Sequence, residues 1–254
     1  MRIAVALVGC TGKLGTSIMK NILNRENLVL RYAIARRGNQ YVGKSISELI
    51  GGHYELTIMD DIESANECDV FIDCTNAETF MANSYLKYKK MGKPLVIATT
   101  AFSRKDIVSI HKLADSMPVF IEGNFSLALH NFIQTLKFAA NRINDDTDIQ
   151  IIEYHHNQKK DAPSATALII QEALTKANQS LSKEQISICS VRGGNIFGEH
   201  QVLFANSKDE VMSFQHQVSS RESFADGAIE VAIWTTKQKK GLYNMDDFCE
   251  HTFS

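Results

Sequence analysis

The 254-residue sequence predicts an α/β fold whose first half is a doubly wound parallel sheet. Three observations carry this: short, mostly apolar runs of strand length, stretches of helical period between them, and a glycine-rich turn joining the first run to the first helix. Strands alternating with helices give a parallel sheet covered on both faces, and strands in such a sheet are apolar throughout.

The elements follow in order. Ile3, Val5, Leu7 and Val8 form the first strand, ended by Gly9, and residues 12–19 bring apolar side chains back every three to four positions. Residues 28–35, 69–73 and 95–98 are further strands of the same apolar kind. Residues 78–90 carry Phe80, Met81, Ser84, Tyr85 and Tyr88 at helical spacing, and residues 104–115 repeat the pattern with Ile107, Ile110, Leu113 and Ala114. After a strand at residues 119–121 comes a long amphipathic helix with Leu129, Phe132, Ile133, Leu136, Ala140 and Ile143 on its buried stripe. A strand at residues 149–152 then leads through a polar loop to a helix at residues 165–176, with Ser164 as its N-cap. Residues 186–192, 201–205 and 211–218 read as strands, the last alternating through Met212, Phe214, His216 and Val218, and residues 222–236 return as a helix.

Composition excludes several functions. With 44% hydrophobic and 22% charged residues and a formal charge of −2, the chain is no basic nucleic-acid binder and no polybasic membrane-surface protein. No apolar run approaches the roughly 20 residues of a membrane span, so a cytoplasmic protein is expected. The five cysteines form no C-x-x-C pair, and reduced, mostly buried thiols are the expectation.

The turn Gly9-Cys10-Thr11-Gly12-Lys13-Leu14-Gly15 lies between a strand and a helix, where glycines let the backbone approach a pyrophosphate seated on the helix amides. A structural turn without ligand would use the same glycines, so the loop alone leaves both readings open. At the end of the second strand, where an acid would bind an NAD ribose, stand Arg36 and Arg37. Guanidiniums suit a 2′-phosphate, so NADPH is expected to be preferred over NADH; two solvated surface arginines are the competing reading.

The densest polar segment runs from Glu153 to Thr166. Adjacent His155 and His156 would point to opposite faces of a strand, which argues against a two-histidine chelate, and no metal is expected. A histidine and lysine four apart in a loop that enters a helix N-terminus suit a dianionic substrate, since amides bind a carboxylate and the cations supply charge and a proton; a solvated basic loop is the competing reading.

Several separated segments now line up in order. They are the glycine turn, Ala98-Thr99-Thr100, Asn124-Phe125-Ser126, and the stretch from Glu153 to Thr166, against a family pattern E-x-H-H-x-x-K-x-D-A-P-S-G-T. Val191-Arg192-Gly193-Gly194 with Gly198-Glu199-His200, then Ser219-Ser220-Arg221 with Phe224 to Ala228, follow. Together they resemble the dihydrodipicolinate reductase family over essentially the whole chain.

The resemblance implies a Rossmann-like dinucleotide-binding domain (residues 1–126 and 222–254) with an inserted α+β domain for substrate binding and oligomerisation (residues 127–221), assembled as a homotetramer. It implies hydride transfer from NAD(P)H to C4 of dihydrodipicolinate, giving tetrahydrodipicolinate, in lysine and diaminopimelate biosynthesis. By the same resemblance His155 is the general acid and Lys159 its partner. His156, Lys159, Ser164, Ala165 and Thr166 meet the substrate carboxylates. Gly9, Gly12, Lys13, Leu14 and Gly15 hold the pyrophosphate, Arg36 the adenosine ribose, and Ala98, Thr100, Asn124 and Phe125 surround the nicotinamide.

The chain departs from the family pattern at the site. Ala98, Ala101, Ala128 and Ala165 stand where the family has glycine, and Asp226 where it has asparagine. An alanine held at positive φ is strained by about 1 kcal/mol or more. A diverged relative, reducing another cyclic imine or dicarboxylate or only binding dinucleotide, is the alternative these alanines favour. Retention of His155, Lys159 and Thr166 favours the reductase.

Overall fold

The structure, a computed structural model, describes residues 2–144 and 146–252. They form two compact units: the chain up to Phe125 together with the chain from Arg221, and Ser126–Ser220.

The first unit is a seven-stranded sheet. Its strands are β1 (Ile3–Val8), β2 (Leu28–Ile34), β3 (Ile58–Met59), β4 (Val70–Asp73), β5 (Leu95–Ile97) and β6 (Pro118–Ile121), joined late in the chain by β11 (Gly241–Tyr243). The order is β11-β6-β5-β4-β1-β2-β3 and every pairing is parallel. Order reverses between β1 and β4, the switch point at which open α/β sheets bind ligands. All residues of β4 and β5 are buried, as a sheet covered on both faces requires.

Its helices are α1 (Lys13–Leu23), α2 (Ser47–Ile50), α3 (Ala77–Thr79), α4 (Tyr85–Met91) and α5 (Arg104–Leu113), with α8 (Glu222–Thr235) and α9 (Met245–Thr252) after the second unit. Where the periodicity predicts one helix over residues 78–90, a π-helical turn, Phe80–Ser84, separates α3 from α4. That turn carries Phe80 into the core, within 5.6 Å of the Tyr88 ring. Helix α8 packs on α1: Arg25, two residues past the end of α1, pairs with Asp226 and Glu230 at 3.2 and 2.5 Å, and Asn21 donates to Asp226 at 3.1 Å. Asp226, a departure from the family pattern, thus has two partners, Asn21 on α1 and Arg25 just beyond its end. Gly227 on the same helix lies so close to Phe125 that a Cβ there would stand 1.8 Å from its carbonyl oxygen.

The second unit has a four-stranded sheet in the order β10-β9-β7-β8. Its strands are β7 (Asp148–His155), β8 (Ile186–Arg192), β9 (Gly198–Ala205) and β10 (Val211–Val218), with β7 and β8 parallel and the other pairs antiparallel. Helices α6 (Leu127–Ala140) and α7 (Ala165–Ala177) pack on it through Leu136, Ala140, Ile170 and Leu174 against Ile149, Ile151, Val202 and Phe204.

Several sequence expectations need correction here. Strand β7 does not end at Ile152 but runs through Glu153 and Tyr154 to His155, because its period-two burial continues after the apolar residues stop. Ile143 lies beyond the end of α6, and Met212 on β10 is 49% exposed instead of inward. Of the five cysteines, all free, only Cys10 and Cys68 are buried, and burial pushes both thiols up to about 12; Cys189 is exposed. No helix among the described residues is long and apolar enough to cross a membrane.

Among the four alanines at family glycine positions, only Ala101 takes a positive φ, 64°. The left-handed region costs a non-glycine residue about 1 to 2 kcal/mol, whereas glycine's extra freedom in the unfolded chain costs about 0.4 to 1 kcal/mol. Strain is the larger effect, so Ala101→Gly is expected to stabilise by about 0.5 to 1 kcal/mol and raise Tm by about 1 to 4 °C. Thermal melting without ligand checks this; an unchanged or lower Tm contradicts it.

Candidate active site

In the first unit the glycine turn is held by backbone geometry. Gly9 has φ 82° and donates its N–H to Ile34 O at 2.8 Å, and Gly12 N–H donates to Gly9 O at 3.0 Å. A Cβ on Gly15 would stand 2.4 Å from Gly9 O and 2.9 Å from Cys10 Cα, so the start of α1 lies directly on the turn. Gly12 caps α1 with no side-chain acceptor, and the first turn has no acidic residue. The amides of Lys13, Leu14 and Gly15 therefore present an uncompensated positive helix end, which fits a phosphate.

Beside this turn, past the carboxyl ends of β1 and β2, lies a cleft of about 600 Å³ lined by Val8, Ile34, Arg36, Arg37, Asp61 and Thr75. Asp61 already accepts from Ser64 at 2.7 Å and faces Lys87 at 3.4 Å. Arg36 and Arg37 are both exposed and have no ion-pair partner among the described residues. Their free guanidiniums fit an anionic ribose phosphate.

Past β4 and β5, one buried carboxylate orders two loops. Asp73 Oδ1 accepts from the Thr75 amide at 2.9 Å, the Thr75 hydroxyl at 2.6 Å and the Thr99 hydroxyl at 3.0 Å, and Oδ2 accepts from Tyr88 at 2.7 Å. Burial pushes this carboxyl above its usual range, against the hydrogen bonds from Thr75, Tyr88 and Thr99. With Thr99 turned inward, Thr100 is exposed at the loop's rim beside half-buried Ala98. Asn124 follows β6 in the same unit, and Phe125 is buried with its ring 6.0 Å from that of Phe120.

In the second unit, two strand positions of the same parity bring Glu153 and His155 to one face of β7. Glu153 is wholly buried and its Oε2 meets His155 Nδ1. Its Oε1 accepts from Arg192 Nη2 on β8 at 2.9 Å and from the Ser164 amide at 3.1 Å. Ser164 caps α7, its hydroxyl accepting from the Ala167 amide at 3.1 Å and lying 3.2 Å from His200 Nε2. Arg192 also donates to Asp161 O at 2.6 Å, and Asp161 holds Lys159 Nζ at 2.8 Å.

These contacts set the charges. Burial by itself raises the Glu153 carboxyl, but hydrogen bonds from Ser190, Arg192 and Ser164 and the charge of His155 outweigh it and bring it down to about 2. Burial lowers His155 from its ordinary value, opposed by Glu153 and assisted by Lys159 and Arg192. Burial and then the charge of His155 bring His200 down to about 4. The rings of His155 and His200 meet edge to face at 5.3 Å.

Glu153, His155 and His200 also offer donor atoms within 4.8 Å of one another, a spacing a metal ion could use. Glu153 Oε1 is already taken by Arg192 and Ser164, and Oε2 faces His155 Nδ1, so the carboxylate spends both oxygens on groups of the protein.

His155, Ser164 and Lys159 are thus joined through Glu153, Arg192 and Asp161, while half-buried His156 and Thr166 and exposed Ala165 lie along the same segment. Sequence reasoning assigned no role to Glu153, Arg192, His200 or Asp73. The signal for the first was the period-two register carried past Ile152, and for Asp73 an acid closing an otherwise apolar strand.

Comparison with known proteins finds two family descriptions that together span the chain: "Dihydrodipicolinate reductase, N-terminus" over residues 3–125 and "Dihydrodipicolinate reductase, C-terminus" over residues 128–249. The 4-hydroxy-tetrahydrodipicolinate reductase of Buchnera aphidicola subsp. Schizaphis graminum is 35% identical, over 98% of this chain and 97% of that protein. That of Buchnera aphidicola subsp. Acyrthosiphon pisum (strain APS) is 36% identical over 96% of each. Among solved structures, the dipicolinate-bound dihydrodipicolinate reductase from Paenisporosarcina sp. TG-14 matches with a TM-score of 0.79 at 25% identity, over 96% of this chain and 98% of that one.

The close approach at Gly15 gives a direct test of whether the glycine turn holds a dinucleotide. Gly15→Ala is expected to weaken dinucleotide binding at least about tenfold, since a contact of 2.4 Å with Gly9 O forces helix and turn apart. Titration calorimetry with NADPH reads it, and an unchanged Kd contradicts the assignment.

Proposed function

The chain belongs to the dihydrodipicolinate reductase family, and from that premise we propose how its residues divide the reduction of dihydrodipicolinate to tetrahydrodipicolinate in lysine and diaminopimelate biosynthesis. It is an NAD(P)H-dependent reductase, and a bound nicotinamide dinucleotide supplies the hydride.

Gly9, Gly12, Lys13, Leu14 and Gly15 hold the pyrophosphate on the amides at the start of α1. Arg36, with Arg37 beside it, holds the 2′-phosphate of NADPH, so NADPH is preferred and NADH is used less well; their unpaired guanidiniums in the cleft support this. Ala98, Thr100, Asn124 and Phe125 flank the nicotinamide, where the Asp73 hydrogen bonds hold the first of these loops in shape.

The observation that carries the reading of the second unit is Ser164. It caps α7 while its own amide is fixed by Glu153, which leaves the following amides of α7 to bind a substrate carboxylate. Ser164, Ala165 and Thr166 take that carboxylate, and His156 and Lys159 add positive charge. His155 delivers the proton that balances the hydride, with Lys159 stabilising charge on the ring-nitrogen side. A dicarboxylate fits this set of amides and cations, and the dipicolinate-bound relative supports it.

Two further expectations belong to this reading. Assembly as a homotetramer belongs to this reading through membership of the family. The five free cysteines support a reducing, cytoplasmic setting.

Oxidation of NADPH and of NADH, followed by absorbance with freshly generated dihydrodipicolinate, tests the activity. The rate with NADPH is expected to exceed that with NADH, and Arg36→Ala is expected to raise the NADPH KM several-fold while changing the NADH KM little. His155→Gln and Lys159→Ala are each expected to lower kcat by about 10² or more while dinucleotide Kd stays within a few-fold. Equal loss of dinucleotide binding would show that these two residues are misassigned.

A further inference from the structure

We infer that Glu153 is a positioning residue for His155: it accepts the Nδ1 proton and so fixes the imidazole as the tautomer whose Nε2 exchanges protons. This deepens the reductase reading and rests on His155 as its proton donor.

The geometry leaves the carboxylate one way to be satisfied. Oε1 receives two donors, the Ser164 amide at 3.1 Å and Arg192 Nη2 at 2.9 Å. Oε2 faces Nδ1 of His155 and lies buried. An ionised carboxylate is acceptor-only, so the proton between Oε2 and Nδ1 sits on the imidazole. Nε2 of His155 is bonded by no described group and points past Gly198, where a Cβ would come within 3.2 Å of it. A side chain at 198 would crowd the one ring nitrogen left for substrate.

Glu153 also accepts from the residue that caps α7, so the same carboxylate sets the proton donor and the carboxylate-binding helix end in one register. Such coupling fixes reacting groups relative to one another without touching substrate, as an oriented acid does for histidine in other active sites.

The charged and titratable groups facing His155 come from every neighbouring element. Glu153 lies on β7, Arg192 on β8, His200 on β9 and Lys159 on the loop, with His216 of β10 behind His200. Of these only Glu153 is negative, so it alone favours the imidazolium.

Glu153→Gln separates positioning from packing because it keeps the shape and reverses one hydrogen bond. The Ser164 amide and Arg192 require an acceptor at the first position, so the carboxamide oxygen must occupy it. Its NH₂ then faces His155 Nδ1 and donates to it, which forces the proton onto Nε2 of the neutral ring. Expected are a fall in kcat on the order of 10²-fold with dinucleotide Kd within a few-fold, and a shift of the basic limb of kcat to lower pH. The sign follows from charge: loss of the carboxylate makes the imidazolium harder to keep, and a general acid loses activity as pH rises through its own pKa.

A second measurement needs neither turnover nor the variant. Nitrogen-proton NMR of the histidine rings in the full wild-type chain, with the His155 signals assigned by their loss in His155→Gln, is expected to show neutral His155 protonated on Nδ1. A neutral ring protonated on Nε2 overturns the inference, whether or not Glu153→Gln folds. So does a Glu153→Gln enzyme whose kcat and pH profile match a turning-over wild type. Failure of the wild type to oxidise NADPH with dihydrodipicolinate would instead strike the reductase reading and leave the tautomer result standing.

Discussion

A carboxylate wholly removed from water, Glu153, is the constraint on which the second unit's site depends. An ion in that position is tolerated only when its lone pairs are filled and a countercharge lies close. The chain meets both needs with groups from three separate places: the guanidinium of Arg192 on β8, the amide of Ser164 ahead of α7, and the ring of His155 two residues along its own strand. Strand, helix end and imidazole are therefore fixed together by the need to satisfy a single side chain. Lys159 is drawn in one step further out, since Asp161 gives its carbonyl to Arg192 and its carboxylate to Lys159.

Asp73 in the first unit is equally buried, yet its carboxyl moves the other way. Both carboxylates accept hydrogen bonds, so hydrogen bonding alone does not separate them. The difference lies in what the donors are: at Glu153 one of them is a guanidinium, and the charge of His155 adds to the hydrogen bonds from Ser190, Arg192 and Ser164. Asp73 is surrounded by the neutral donors of Thr75, Thr99 and Tyr88, and burial prevails; Glu153 has Arg192 and His155, and burial is overcome. The consequence for function differs accordingly. Asp73 shapes two loops without lending them charge, whereas Glu153 keeps a fixed negative charge beside a proton-carrying ring. His200, held down at about 4, stays neutral next to it and adds no second titrating cation.

The parallel sheet was legible because its strands are buried on both faces, so that Val70 to Ile72 and Leu95 to Ile97 read as unbroken apolar runs. The glycine turn and the serine cap were legible because their chemistry is local. What escaped was settled by contacts distant in sequence. Strand β7 was cut short at Ile152 because its last inward positions are Glu153 and His155, polar residues that only Arg192, Ser164 and each other make tolerable inside. Strand β3 has two residues and β11 three, one of them glycine, too short for any period to show; both exist because β2 and β6 offer an edge. The π turn at Phe80–Ser84 answers a packing demand from Tyr88 and Phe102 that helical spacing does not record.

The same distinction between local and distant causes accounts for which glycines of the family pattern this chain has given up. At Gly15 and Gly227 a methyl group would meet backbone atoms at 2.4 and 1.8 Å, and backbone held by a sheet and a helix has nowhere to move. Those positions stay glycine. At Ala101 the demand is only on φ, a local strain of about 1 to 2 kcal/mol that a domain of this size can carry. Ala165 makes no such demand: it sits exposed at the first position of α7, where an alanine costs nothing in helix propensity. Divergence has therefore run through positions whose cost is small and local. The positions that keep glycine are those where neighbouring backbone lies directly on the helix, and a methyl group there would have to displace it.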